Sequence, residues 1–75
     1  MGMTHELVID AGDVVEVTRG TQAEISQAYL VECDAAERLG WLAVEFEGDE
    51  DEWIQITYQR PDGGHTKVAM APIDE

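Results

Sequence analysis

The sequence predicts a single α+β domain over residues 1–75, with a small antiparallel sheet packed against one helix. Three observations lead there. Apolar and polar residues alternate through residues 42–46 and again through 54–59, the two-residue period of a half-buried strand. Residues 21–40 carry a helix start signal, a stop signal and apolar residues three or four apart. The chain has 75 residues, enough for one core and no second domain.

Taking the elements in order, Leu7-Val8-Ile9 and Val14-Val15-Glu16-Val17 are β-rich runs. Asp10-Ala11-Gly12-Asp13 between them reads as a turn or a bulge. The runs either pair with each other or form one bent strand, so the order is ββαβββ or βαβββ. Thr21-Gln22-Ala23-Glu24 then fits a capping box, in which the threonine and glutamate side chains satisfy backbone donors at the first turn. Gly40 supplies the stop, because glycine takes the left-handed conformation cheaply. Ile25, Ala28, Tyr29, Cys33, Ala36 and Leu39 make the apolar stripe of that helix, with Leu30 and Val31 off it. A rival reading makes residues 28–32 a short strand and starts the helix at Asp34, since Asp34-Ala35-Ala36-Glu37 is a second capping box.

The last third reads as a three-stranded meander. With residues 48–52 as a hairpin loop, Phe46 faces Ile54, Val44 faces Ile56 and Leu42 faces Tyr58, which puts all six on one inner face. Pro61-Asp62-Gly63-Gly64 is the next turn. Val68 and Met70 continue the inner face on the third strand, with Lys67 and Ala69 outside. The helix is expected to cover this face, since an amphipathic helix and a one-sided sheet each need a partner.

Charge is the strongest compositional signal. Seventeen acidic residues stand against Arg19, Arg38, Arg60 and Lys67, for a net charge of −13. A small soluble domain is usually served by a magnitude of about 2–8, and the excess costs stability through self-repulsion. Direct binding to nucleic acid needs clustered Lys and Arg and is not expected; anionic membranes are disfavoured likewise. No stretch approaches the roughly 20 apolar residues of a membrane span. The N-terminal residues lack the basic and apolar regions of a signal peptide, so a cytoplasmic location is expected.

Catalytic patterns are missing. The consecutive Asp49, Glu50, Asp51 and Glu52 read as a solvated loop, whereas an acid–base pair needs one carboxyl raised by burial. A calcium loop starting at Asp49 would need Gly at its sixth position and Glu at its twelfth, which are Ile54 and Arg60. His5 and His65 lie far apart with no cysteine neighbours, against zinc. Ser26 has no histidine near it in sequence, and Cys33, the sole cysteine, reads as core packing. The glycines at 63–64 lead into a strand rather than opening a helix, unlike a phosphate-cradling loop. The expectation is a protein that is not an enzyme and takes no cofactor or metal.

The remaining candidate is a binding surface. With the inner face assigned as above, Glu45, Glu47 and Trp53 point outward, Trp53 opposite Glu47, while Trp41 is expected to pack. An exposed tryptophan among carboxylates suits an interface anchor. Residues i and i+2 of a strand lie about 6.6 Å apart on one face, the scale of neighbouring backbone phosphates. The partner-binding set is therefore Glu45, Glu47, Asp49, Glu50, Asp51, Glu52 and Trp53.

In length, charge, α+β pattern and the acidic run of residues 45–52, the chain resembles the small acidic anti-defence proteins of phages and mobile elements, including anti-CRISPR proteins and DNA mimics. That resemblance is to a class and rests on no family motif. It implies an inhibitor that occupies a basic nucleic-acid or subunit site on a large effector such as a CRISPR complex, acting in the host cytoplasm. Two other readings share the composition: a housekeeping domain adapted to high salt, and an immunity protein or antitoxin against a basic nuclease. Open sheet edges allow a monomer or a small homodimer.

Overall fold

A computed structural model describes residues 4–49 and 53–73. The elements are β1 (His5–Asp10), β2 (Val15–Gly20), α1 (Gln22–Arg38), β3 (Leu42–Asp49), β4 (Trp53–Gln59) and β5 (His65–Pro72). The order is thus ββαβββ, and the strands form one antiparallel sheet ordered β2-β1-β5-β4-β3. The fold is α+β, as the patterning predicts.

The first two runs form a hairpin. Ala11 N–H donates to the Val14 carbonyl at 2.9 Å, and the Asp10 carboxylate accepts from Gly12 N–H at 2.9 Å. Gly12 sits at φ 99°, which a residue with a Cβ adopts only at a cost. The helix is continuous, which removes the alternative strand at residues 28–32. Its capping box is complete: Glu24 N–H donates to Thr21 Oγ1 at 3.2 Å, and Thr21 N–H donates to Glu24 Oε1 at 2.9 Å. At the other end Gly40 turns out at φ 81°, and Trp41 N–H returns to the Ala36 carbonyl at 3.0 Å.

The core is Ile25, Tyr29 and Ala36 of α1 against Leu7, Val68 and Tyr58 of the sheet. Trp41 packs on this cluster, its ring centroid 6.5 Å from that of Tyr58. Leu39, expected in the helix stripe, is exposed instead; it is the C-cap, one residue past α1, and stands on the wall of an open cleft.

The meander departs from expectation in three respects. The β3–β4 register lies two residues from the expected one: Phe46 pairs with Ile56, Gly48 with Ile54, and Asp49 with Trp53. Pairing therefore runs closer to the loop, and Trp53 stands opposite Asp49 rather than Glu47. A bulge between Ala43 and Glu45 leaves Val44 as the extra residue, so Leu42 pairs with Gln59 and Ala43 takes the place opposite Tyr58. Finally, Leu42, Val44 and Phe46 are exposed, Phe46 to 65%. Leu42 is exposed because the bulge turns it to the face away from the helix, opposite Gln59; for Phe46 the reason is the reach of the helix. The helix lies across β2, β1 and β5. A helix is about 10 Å wide, whereas five strands spaced about 4.8 Å apart span about 19 Å. The β3 side of the sheet extends past it.

Candidate functional site: an acidic edge strand

β3 ends the sheet, pairing with β4 on one side and with no other strand among the described residues on the other. Directly opposed residues of antiparallel strands share a face, so the register sorts its side chains. Glu45 lies across from Thr57 and Glu47 across from Gln55. This face turns away from the helix. Its rows continue through Lys67 and Asp10, and through Ala69 and Val8, to Val15 and Val17 of β2. Both glutamates are exposed. Asp49 occupies the next alternate register position, and its partner Trp53 is 38% exposed. The indole is therefore exposed at the surface, while Trp41 is half-buried against the core. Glu50, Asp51 and Glu52 lie outside the described residues.

The other face of β3 is apolar. Phe46 shares a row with Ile56 and Val68, and Ile54 shares the next with Met70. Val68 is buried under the helix, Ile54 and Ile56 are half-buried, and Phe46 is exposed. Along the row of Val68, Ile56 and Phe46, burial thus falls away step by step from β5 to β3. An exposed phenylalanine beside two partly covered isoleucines forms an apolar margin directly behind the carboxylates.

The four cations do little to neutralise this edge. Arg19 pairs with Glu6 at 3.4 Å, Arg38 with Asp34 at 2.9 Å and Arg60 with Asp62 at 3.2 Å. Among the described residues, neither Glu45 nor Glu47 has a cation within 4.0 Å. Their cross-strand neighbours are neutral, and Lys67 is one strand further on.

Two other features of the molecule gather polar or titratable side chains. A cleft of about 530 Å³ opens between the C-terminal half of α1, the β1–β2 hairpin and the β4–β5 turn, at the far end of β4 from Trp53. Val14, Leu39 and Trp41 give it apolar walls and Glu16 and Glu32 acidic ones. Its guanidinium, Arg60, is already held by Asp62, by Thr66 Oγ1 at 3.1 Å and by the Ala11 carbonyl at 3.4 Å, where it ties the two turns together. Asp62 accepts from Gly64 N–H at 2.8 Å; that bond, then Arg60, holds its carboxyl below the usual aspartate range. Under the helix, Tyr29, Cys33 and Tyr58 form a second group. Burial pushes the Tyr29 phenol up to about 12 and raises Tyr58 further, with the Cys33 thiol adding to both. The Tyr58 hydroxyl is buried without a hydrogen-bond partner among the described residues. Phenols shifted in this direction stay protonated, which suits a packed core and not proton transfer near neutral pH. Among the described residues, no three His, Cys, Asp or Glu side chains converge as metal ligands, and no helix is long and apolar enough to cross a membrane.

The structure thus brings Glu45, Glu47 and Trp53 to one surface with Asp49 in register. Sequence reasoning missed the exposed apolar margin at Phe46, and the exposure of Leu42 and Val44 at the bulge. The signal for the margin was present in the ratio of one helix to five strands, which leaves part of the sheet without a cover. Compared with protein-family models, with curated proteins and with solved structures, the chain finds no match.

Proposed function

We propose that the protein is a stoichiometric protein-binding inhibitor whose acidic β3 edge occupies a basic nucleic-acid-binding site on a larger effector, in the manner of anti-CRISPR proteins and DNA mimics. The observation that carries this reading is Glu45 and Glu47 side by side on one exposed face of an edge strand, without a neutralising cation, in a chain of net charge −13. Trp53, exposed at the end of that strand pair, supplies an anchor of the residue type enriched at interface hot spots. A row of negative charge speeds encounter with a basic groove and fixes its register. The inhibitor acts by occupancy, so no group in it has to react. Glu50, Asp51 and Glu52 continue the acidic run in sequence.

The test is capture of the effector on immobilised protein, followed by charge reversal of Glu45, Glu47 and Asp51 to lysine. The expected result is loss of inhibition with the fold retained. Normal inhibition by the triple variant overturns the assignment of this surface.

A second reading is favoured by a separate observation. Carboxylates also lie on the helix and turns, at Asp13, Glu24, Asp34, Glu37 and Asp62, and the chain holds a single lysine. That spread suits a domain adapted to concentrated salt. Melting in dilute buffer and in molar salt separates the two: folding that requires molar salt supports adaptation, whereas a cooperative melt in dilute buffer supports the inhibitor.

A further inference from the structure

We infer that β3 binds its partner by strand addition, taking an extended basic segment with alternating Lys or Arg and apolar side chains. The inference rests on the reading that the partner is basic, and adds how the partner is held.

Three observations converge. An edge strand presents unpaired backbone donors and acceptors, and β3 has no neighbour on its outer side among the described residues. Its two faces differ in chemistry: Glu45 and Glu47 line one, and Phe46 beside Ile56 lines the other. A segment added along this edge continues both rows. Its cations then fall beside the glutamates, and its apolar residues extend the half-buried margin over Phe46. The bulge at Val44 restricts regular pairing to the part of β3 beyond it, from Glu45 to Asp49.

The other occupants fit less well. A second copy paired through β3 would set glutamates beside glutamates on one face, which is destabilising, between two chains each of net charge −13. The opposite edge, β2, suits a basic segment less: its polar face carries a single carboxylate, Glu16, with Thr18, and its other face sets Arg19 beside Val15 and Val17.

The experiment uses the full chain and two capped peptides of identical composition. In one, lysine and valine alternate; in the other, the lysines are contiguous and followed by the valines. Binding is read by fluorescence anisotropy in low salt and located by backbone amide shifts in NMR. The alternating peptide is expected to bind about tenfold more tightly, with shifts concentrated on residues 45–49. Phe46→Ser is expected to erase the difference between the peptides; because Phe46 is exposed, this change should leave melting near that of the parent. Equal binding of both peptides, abolished by Glu45→Lys with Glu47→Lys, overturns strand addition and leaves the acidic edge standing. Binding of neither peptide overturns both. A homodimer that Phe46→Ser dissociates overturns the choice of occupant.

Discussion

If Glu45 and Glu47 serve a partner, neutralising them should leave the fold intact or slightly stabilised. The perturbation is Glu45→Gln with Glu47→Gln. Alternate residues of a strand sit about 6.6 Å apart, and two unit charges at that separation repel by ~0.6 kcal/mol in water. Screening over a Debye length of about 8 Å at physiological ionic strength reduces this to ~0.3 kcal/mol. The opposing term is the attraction of Glu45 to Lys67, two strands away. At about 9.6 Å it is ~0.4 kcal/mol unscreened and ~0.1 kcal/mol at physiological salt. Both glutamates are exposed and neither makes an ion pair among the described residues, so no desolvation is recovered and no partner is orphaned. The double variant should therefore gain a few tenths of a kcal/mol, a rise of about 1–3 °C in Tm for a domain this size. Far-UV circular dichroism melts of the two proteins measure it. A fall of more than about 1 kcal/mol, or roughly 4–8 °C, would show that these carboxylates hold the fold together and would refute the reasoning.

Other outcomes follow from the same structure. Thr21→Ala removes the acceptor for Glu24 N–H and half of the capping box, and should cost about 1 kcal/mol; an unchanged denaturation midpoint would contradict the cap. Tyr58→Phe deletes a buried hydroxyl that lacks a hydrogen-bond partner among the described residues, so stability should hold or rise by ~1 kcal/mol; a comparable loss in chemical denaturation would reveal a bond to that hydroxyl. The Asp62 carboxyl is lowered from 3.8 in the folded chain, so its contribution is present above that value and is lost as pH falls below it. The Tm gap between the parent and Asp62→Asn should accordingly be open at neutral pH and close in acid, and a gap that widens in acid would reverse the sign.

Features encoded within a few residues were legible in the sequence. The capping box at Thr21–Glu24, the Gly40 stop and the Asp10–Gly12 turn each act through neighbours in the chain, and each stands where residue type placed it. Alternation likewise identified which residues share a face on β4 and β5: Val68 is buried and Lys67 exposed, as patterned. What alternation does not encode is how far a hairpin pairs toward its loop. Gly48 reads as a loop residue, yet it lies within β3 at φ 156°, where an added Cβ would come within 2.6 Å of the Trp53 carbonyl oxygen. Glycine there permits the close backbone approach that carries pairing on to Asp49 and Trp53. A single bulge residue, Val44, then exchanged the faces of Leu42 and Ala43. Nor does a period of two say whether a face is covered. Phe46 follows the pattern of a core residue and is exposed because the helix lies over other strands.

The acidic residues of the candidate site were legible as residues, and Glu45 and Glu47 do stand together. Their meaning depends on what opposes them, which in this chain is almost nothing: three of its four cations are paired elsewhere.

The most direct measurement is competition at the captured effector. Nucleic acid bound to that effector is titrated with this protein and, in parallel, with the Glu45→Lys, Glu47→Lys variant. Displacement complete at one equivalent by the parent and absent with the variant is the expected result. An effector that holds nucleic acid and this protein together, in a stable ternary complex, would contradict occupancy of the basic site.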